Sequence, residues 1–136
     1  MERIIFLLLR IAILQLLILA QHGDLRAQSE VIAEVKAALR AGSSRELVKN
    51  FNTTVDLNFE GEKSSYSRSQ AEFVLRDFFK KYPPSDFQYI HQGSSKGGLT
   101  YMIGKYTYDS GSFRVLLYIK KIGERYMVDL LDFTRD

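Results

Sequence analysis

Hydrophobic residues change their spacing several times along this chain, and each spacing implies a different element. Ile4 to Ala20 is almost wholly apolar, broken only by Arg10 and Gln15. Beyond Ser29, which is placed as an N-cap, Ile32, Val35 and Leu39 recur at i, i+3 and i+7. Ala33, Ala37 and Ala38 raise helix propensity there, and Gly42 is placed to end the helix. Ser43 and Glu46 have capping-box spacing ahead of a short helix with Leu47, Val48 and Phe51 on its apolar side. Val55, Leu57 and Phe59 then alternate with Asp56, Asn58 and Glu60, the period of a half-buried strand, and Gly61 is positioned to turn the chain back toward Tyr66.

A second capping box, Ser67 with Gln70, opens the strongest amphipathic stretch. Ala71, Val74, Leu75, Phe78, Phe79 and Tyr82 fall on one helical face, and Pro83-Pro84 stops it. The remainder predicts four strands, Phe87 to Gln92, Leu99 to Tyr108, Ser112 to Lys121 and Arg125 to Thr134, joined by Gly-, Ser- and Asp-containing turns. In the third, Phe113, Val115, Leu117 and Ile119 share one face opposite Arg114, Leu116, Tyr118 and Lys120. The expected architecture is α+β: N-terminal helices and one long helix packed on a curved antiparallel sheet that ends in a meander.

The apolar N-terminus, preceded by Arg3 and followed by Gln21-His22-Gly23-Asp24, has the form of an export signal. Processing after Ala27 would leave Gln28 first; cleavage after Ala20 is the alternative, and an uncleaved segment would anchor the chain in a membrane. The expected organisation is a signal peptide over 1–27 and a single domain over 28–136, exported to the periplasm or the cell exterior. The absence of cysteine excludes disulfides, thiol nucleophiles and a lipidated N-terminal cysteine. Residues 28–136 carry 16 basic and 14 acidic side chains, and their only lysine pairs, Lys80-Lys81 and Lys120-Lys121, extend into no basic run, so no nucleic-acid partner is expected.

The element order resembles the cone-shaped superfamily of nuclear transport factor two, which includes ketosteroid isomerase and has a cystatin-like relative architecture. A closer resemblance is to a family of small secreted Bacteroidetes proteins of unknown function. It lies in Asn50-Phe51-Asn52, in Tyr66-Ser67 with Gln70-Ala71-Glu72 and Asp77-Phe78-Phe79, and in His91-Gln92-Gly93-Ser94-Ser95 followed by Gly104. The superfamily resemblance implies a sheet curled around the long helix, often with a pocket at its open end; the closer one supports the same fold and an exported location and carries over no catalytic residue.

Candidate chemistry is sparse. His91 is the single histidine after residue 27, and as an acid or base it would need an orienting partner that the sequence does not identify. Gly93-Ser94-Ser95-Lys96-Gly97-Gly98 has strands on both sides, so a hairpin loop fits better than a phosphate cradle. Asp129 shares an alternation face with Met127, Leu131 and Phe133, making it the one candidate for a buried acid, against the simpler reading of an exposed residue. Tyr89, two positions before His91, would lie on the same strand face; with Tyr101 and Tyr118 it supplies large amphipathic surface suited to a pocket wall, an interface or a core. No metal site and no cofactor are expected. The leading expectation is a non-catalytic exported domain that uses Tyr89, His91, Tyr101, Tyr118 and Asp129 to bind a small apolar or amphipathic ligand or a protein partner. The alternatives are a small isomerase, hydrolase or dehydratase using His91, and a structural domain that forms a homodimer through its sheet.

Overall fold

The structure is a computed structural model that describes residues 1–95 and 97–136. Lys96, in the loop considered above as a phosphate cradle, lies outside the described residues. Helix α1 (Glu2–Ala41) joins the apolar N-terminus and the first helix of the domain without a break. Ser29 is therefore not a cap: its Oγ donates to the Leu25 carbonyl 2.9 Å away, in mid-helix. The linking residues contain one weak breaker, Gly23, and no proline, so the backbone ladder carries through. The two halves differ in environment, since every side chain up to Arg26 is exposed whereas Val35, Ala38 and Leu39 are buried. Gly42, left-handed at φ 64°, ends α1 as expected.

Ser43 caps α2 (Ser44–Val48) by accepting from the Glu46 N–H, but the box is half made, because the Glu46 carboxylate turns instead to Lys49 at 2.8 Å. Strand β1 (Phe51–Phe59) returns as β2 (Glu62–Ser67) through Glu60 and Gly61, both at positive φ (55° and 87°), the conformation of the tight turn that matches strand twist. The capping box at Ser67 and Gln70 is complete and starts α3 (Arg68–Lys81). Then come β3 (Pro84–Ser94), β4 (Thr100–Tyr108), β5 (Gly111–Ile122) and β6 (Arg125–Arg135).

The six strands form one open sheet in the order β2-β1-β6-β5-β4-β3, with the expected meander from β3 to β6. It is mixed rather than wholly antiparallel, because β1 lies parallel to β6. Alternation within a strand does not reveal that pairing: the chain leaves β1 through a hairpin and a helix before the meander brings β6 back beside it. One face of the sheet and the inward sides of α1, α2 and α3 form a single core containing Leu39, Leu47, Phe51, Leu57, Leu75, Phe87, Tyr106, Phe113, Leu117, Leu131 and Phe133. Burying these side chains contributes on the order of 1.5–3 kcal/mol each before entropy is counted. Among the described residues no helix packs on the opposite face of the sheet.

Two irregularities decide where side chains point. In β3 the pairing jumps between Tyr89, opposite Gly104, and His91, opposite Ile103. In β6 it jumps at Asp129, because Val128 faces Ile119 while Leu130 faces Tyr118. An extra residue at such a bulge reverses the faces of everything beyond it.

Candidate functional site

Because of the β3 bulge, Tyr89 and His91 do not share a face, contrary to strict alternation. Tyr89 points inward, half-buried, and its hydroxyl donates to the Ile32 carbonyl of α1 at 2.8 Å, tying helix to sheet. Burial pushes this phenol well above the usual tyrosine range. His91 lies on the outer face, exposed, with its Nε2 3.4 Å from the Tyr101 hydroxyl and the two rings 5.7 Å apart. Tyr101 itself lies across Gly93, its cross-strand neighbour: a Cβ there would come within 2.2 Å of the tyrosine ring and would displace it. Tyr118 sits opposite Tyr101 on β5. With Leu99, Ile103 and Leu116 the pair bounds a shallow depression of about 380 Å³.

The β6 bulge likewise removes Asp129 from the core face. It is half-buried and accepts from the side-chain amide of Asn52 on the neighbouring strand β1 at 3.2 Å, a neutral partner. Of the five expected site residues, then, His91, Tyr101 and Tyr118 gather on the outer face, Tyr89 belongs to the core and Asp129 stands apart. Among the described residues no group of three or more histidines, aspartates or glutamates is arranged to hold a metal.

A different constellation occupies the end of the inner face where β1 and β6 finish and β5 begins. Phe78 of α3 contacts the rings of Phe59, Phe79, Tyr82, Tyr106, Phe113 and Phe133, with centroids 4.4 to 5.8 Å apart. Contacts of this kind add about 0.5–1.5 kcal/mol per pair beyond simple burial. The Tyr106 hydroxyl donates to the Tyr82 carbonyl and so closes the C-terminal end of α3, and burial raises the Tyr106 phenol above its usual range. The rings fill the interior but leave a recess of about 330 Å³ at the mouth, floored by Phe59, Val74, Phe78, Tyr82, Phe113 and Phe133.

The recess has a charged rim. The Arg135 guanidinium lies over the Tyr82 and Phe113 rings at 5.7 and 5.9 Å, donates to the Tyr82 hydroxyl at 2.8 Å and pairs with Glu60 at 3.5 Å. Asp77 and Lys81, one helical turn apart on α3, complete the lining, and neither is in an ion pair among the described residues. An apolar floor with a few polar groups at the edge suits the tail of a small ligand and one polar end. The sequence reading placed these aromatics in the core and so missed the recess. The available signal was the pairing of aromatics on the inner face of α3 with a terminal Arg135 on β6.

Comparison with known proteins places the chain among small domains of the same shape. Residues 32–134 match the family model described as a domain of unknown function, DUF4783. A crystal structure of a DUF4783 family protein from Bacteroides ovatus is 30% identical, covering 76% of this chain and 94% of that one with a TM-score of 0.72. A domain of unknown function with a cystatin-like fold from Nostoc punctiforme is 16% identical, with a TM-score of 0.65 over 83% of this chain and 77% of that one. A protein described as Rd1NTF2_04 with long sheet is 15% identical, with a TM-score of 0.63 over 77% of this chain and 97% of its own. These two likenesses establish the fold alone. No curated protein matches the chain.

Proposed function

The chain belongs to the DUF4783 family of domains of unknown function, and from that premise we propose that it is an exported, non-catalytic binding domain that takes a small apolar or amphipathic ligand into the aromatic recess at the open end of its sheet. The observation that carries this reading is the recess itself: about 330 Å³ of space over a floor of phenylalanines, edged by Glu60, Asp77 and Lys81, with Arg135 over the neighbouring Tyr82 and Phe113 rings. An apolar tail buried there gains roughly 25 cal/mol for each Å² removed from water, while the rim charges orient its polar end. Export rests on the N-terminal segment, an apolar helix wholly exposed on the domain and long enough to cross a membrane. Removal of that segment near Ala27 would release the domain; retention would hold it at the membrane surface.

Catalysis by His91 is the weaker reading, because its ring is exposed and its one hydrogen-bond partner among the described residues is a tyrosine hydroxyl at 3.4 Å rather than a carboxylate. Self-association has one specific observation in its favour, the Tyr101–Tyr118 band with Ile103 and Leu116 on the face that no helix covers.

Native mass spectrometry of the protein isolated from the envelope of its own host tests the proposal. The expected spectrum has a mass beginning near Gln28 with an added small molecule. A bare chain that also fails to take up dodecanoate would overturn the binding reading, and a dimer split by Tyr118→Glu would favour the outer face.

A further inference from the structure

The charges around the aromatic recess are not equivalent. Lys81 and Arg135 stand over the rings that floor it: the Lys81 Nζ is 5.4 Å from the centre of the Tyr82 ring, and the Arg135 guanidinium is 5.7 and 5.9 Å from the centres of Tyr82 and Phe113. A ring face is the negative side of the aromatic quadrupole, so it holds cations and turns carboxylates away. Of the two acids, Glu60 is engaged within the fold: its Oε1 accepts from the Arg135 backbone N–H at 3.0 Å and lies 3.5 Å from the Arg135 Nε. Asp77 is exposed one helical turn before Lys81, and its short side chain keeps the charge close to α3.

Donors are left over beside the same ring. The Arg135 Nη2 donates to the Tyr82 hydroxyl at 2.8 Å and the Nε faces Glu60, which leaves the Nη1 donors without a partner among the described residues. The Lys81 ammonium is in no ion pair among those residues either. An apolar tail on Phe59, Phe78 and Phe113 brings its head to Tyr82, the ring that both cations cover. An ammonium head would meet two like charges there, with only Asp77 to offset them. A hydroxyl head would accept from the cations without any charge of its own. A carboxylate accepts from both, and hydrogen bonds between ionised partners are the stronger kind. The second recess, two adjoining depressions of about 510 and 210 Å³ at the opposite ends of β1 and β6, has no such arrangement: Glu34, Lys49, Asn50 and Arg125 border it and no phenylalanine lines it.

Resting on the binding role given above, we propose that the aromatic recess selects an aliphatic carboxylate, with the tail on the phenylalanine floor and the carboxylate held by Lys81 and Arg135. The test is a set of titrations of the protein, in the form its host produces, with decanoate, decan-1-ol and decylammonium, each below the concentration at which it aggregates. Decanoate is expected to bind about tenfold more tightly than either of the others. Arg135→Gln and Lys81→Gln should each cut the preference for decanoate over decan-1-ol about threefold. Lys81→Gln breaks no ion pair, so it gives this readout without disturbing the Glu60–Arg135 bridge. Equal affinity for the three heads, tighter binding of decylammonium, or a decanoate preference that survives both substitutions would overturn the carboxylate assignment and leave the binding role standing. Binding of none of the three would overturn the binding role itself, and the assignment with it.

Discussion

The two ends of β1 and β6 are built on opposite principles. At their C-terminal ends, Phe59 and Phe133 join Phe78, Tyr106 and Phe113 in a ring cluster, with Tyr106 bonded to the Tyr82 carbonyl and Arg135 to Glu60 and Tyr82. At their N-terminal ends the lining is alanine, a few charged side chains and Asn50. The first end is where the fold gains stability, and binding there is confined to the mouth left by the rings. The second is lined by small and charged side chains and adds little to stability. Large side chains that pack on each other close a site, whereas small ones around a fixed polar group keep it open.

The largest effect should come from emptying the ring cluster. Phe133 is fully buried, and Phe133→Ala is expected to cost about 3–5 kcal/mol in denaturant unfolding. A loss below about 1 kcal/mol would mean that the rings are not the stabilising end. Next come the two buried hydroxyls of the inner face. Tyr106→Phe and Tyr89→Phe each remove one hydrogen bond to a backbone carbonyl and should cost about 1 kcal/mol. Both phenols are raised above their unfolded value by burial. Their contribution is therefore fully present below the ordinary tyrosine value of 10.0 and is lost as pH climbs above it. Unfolding followed at alkaline pH should lose its steep fall in the double variant; an unchanged alkaline limb would show that these hydroxyls are not the groups responsible. Ser67→Ala, which dismantles the capping box that starts α3 on its way to the ring cluster, should cost about 1 kcal/mol. Asn50→Ala at the opposite end should change stability by less than about 0.5 kcal/mol, the sharpest contrast with Phe133 that one residue can supply.

The periodic elements were legible in the sequence because their signals are local. The Ser67–Gln70 box, the stripe from Ala71 to Tyr82, the Gly61 turn and the alternation of β5 all lie within a few residues, and each stands in the structure within one or two positions of where the pattern put it. What escaped depends on pairing across the sheet. The bulge before His91 and the one at Asp129 are invisible in alternation, yet they separate Tyr89 from His91 and move Asp129 off the core face. The parallel β1–β6 pair escaped for the same reason. Both recesses arise between elements far apart in sequence, Phe59 with Phe113 and Phe133, and Glu34 with Asn50 and Arg125. Reading single strands recovered the outer-face tyrosines, which share neighbouring strands, and overlooked the two ends.

The most direct test of the binding role is a chemical-shift map of the isotope-labelled protein titrated with monomeric dodecanoate. The expected result is a saturable response confined to Val74, the rings of Phe59, Phe78 and Phe113, and the Arg135 side chain, with the Asn50 end unmoved. A response centred on Tyr101 and Tyr118, or none beyond the apolar N-terminal segment, would contradict it.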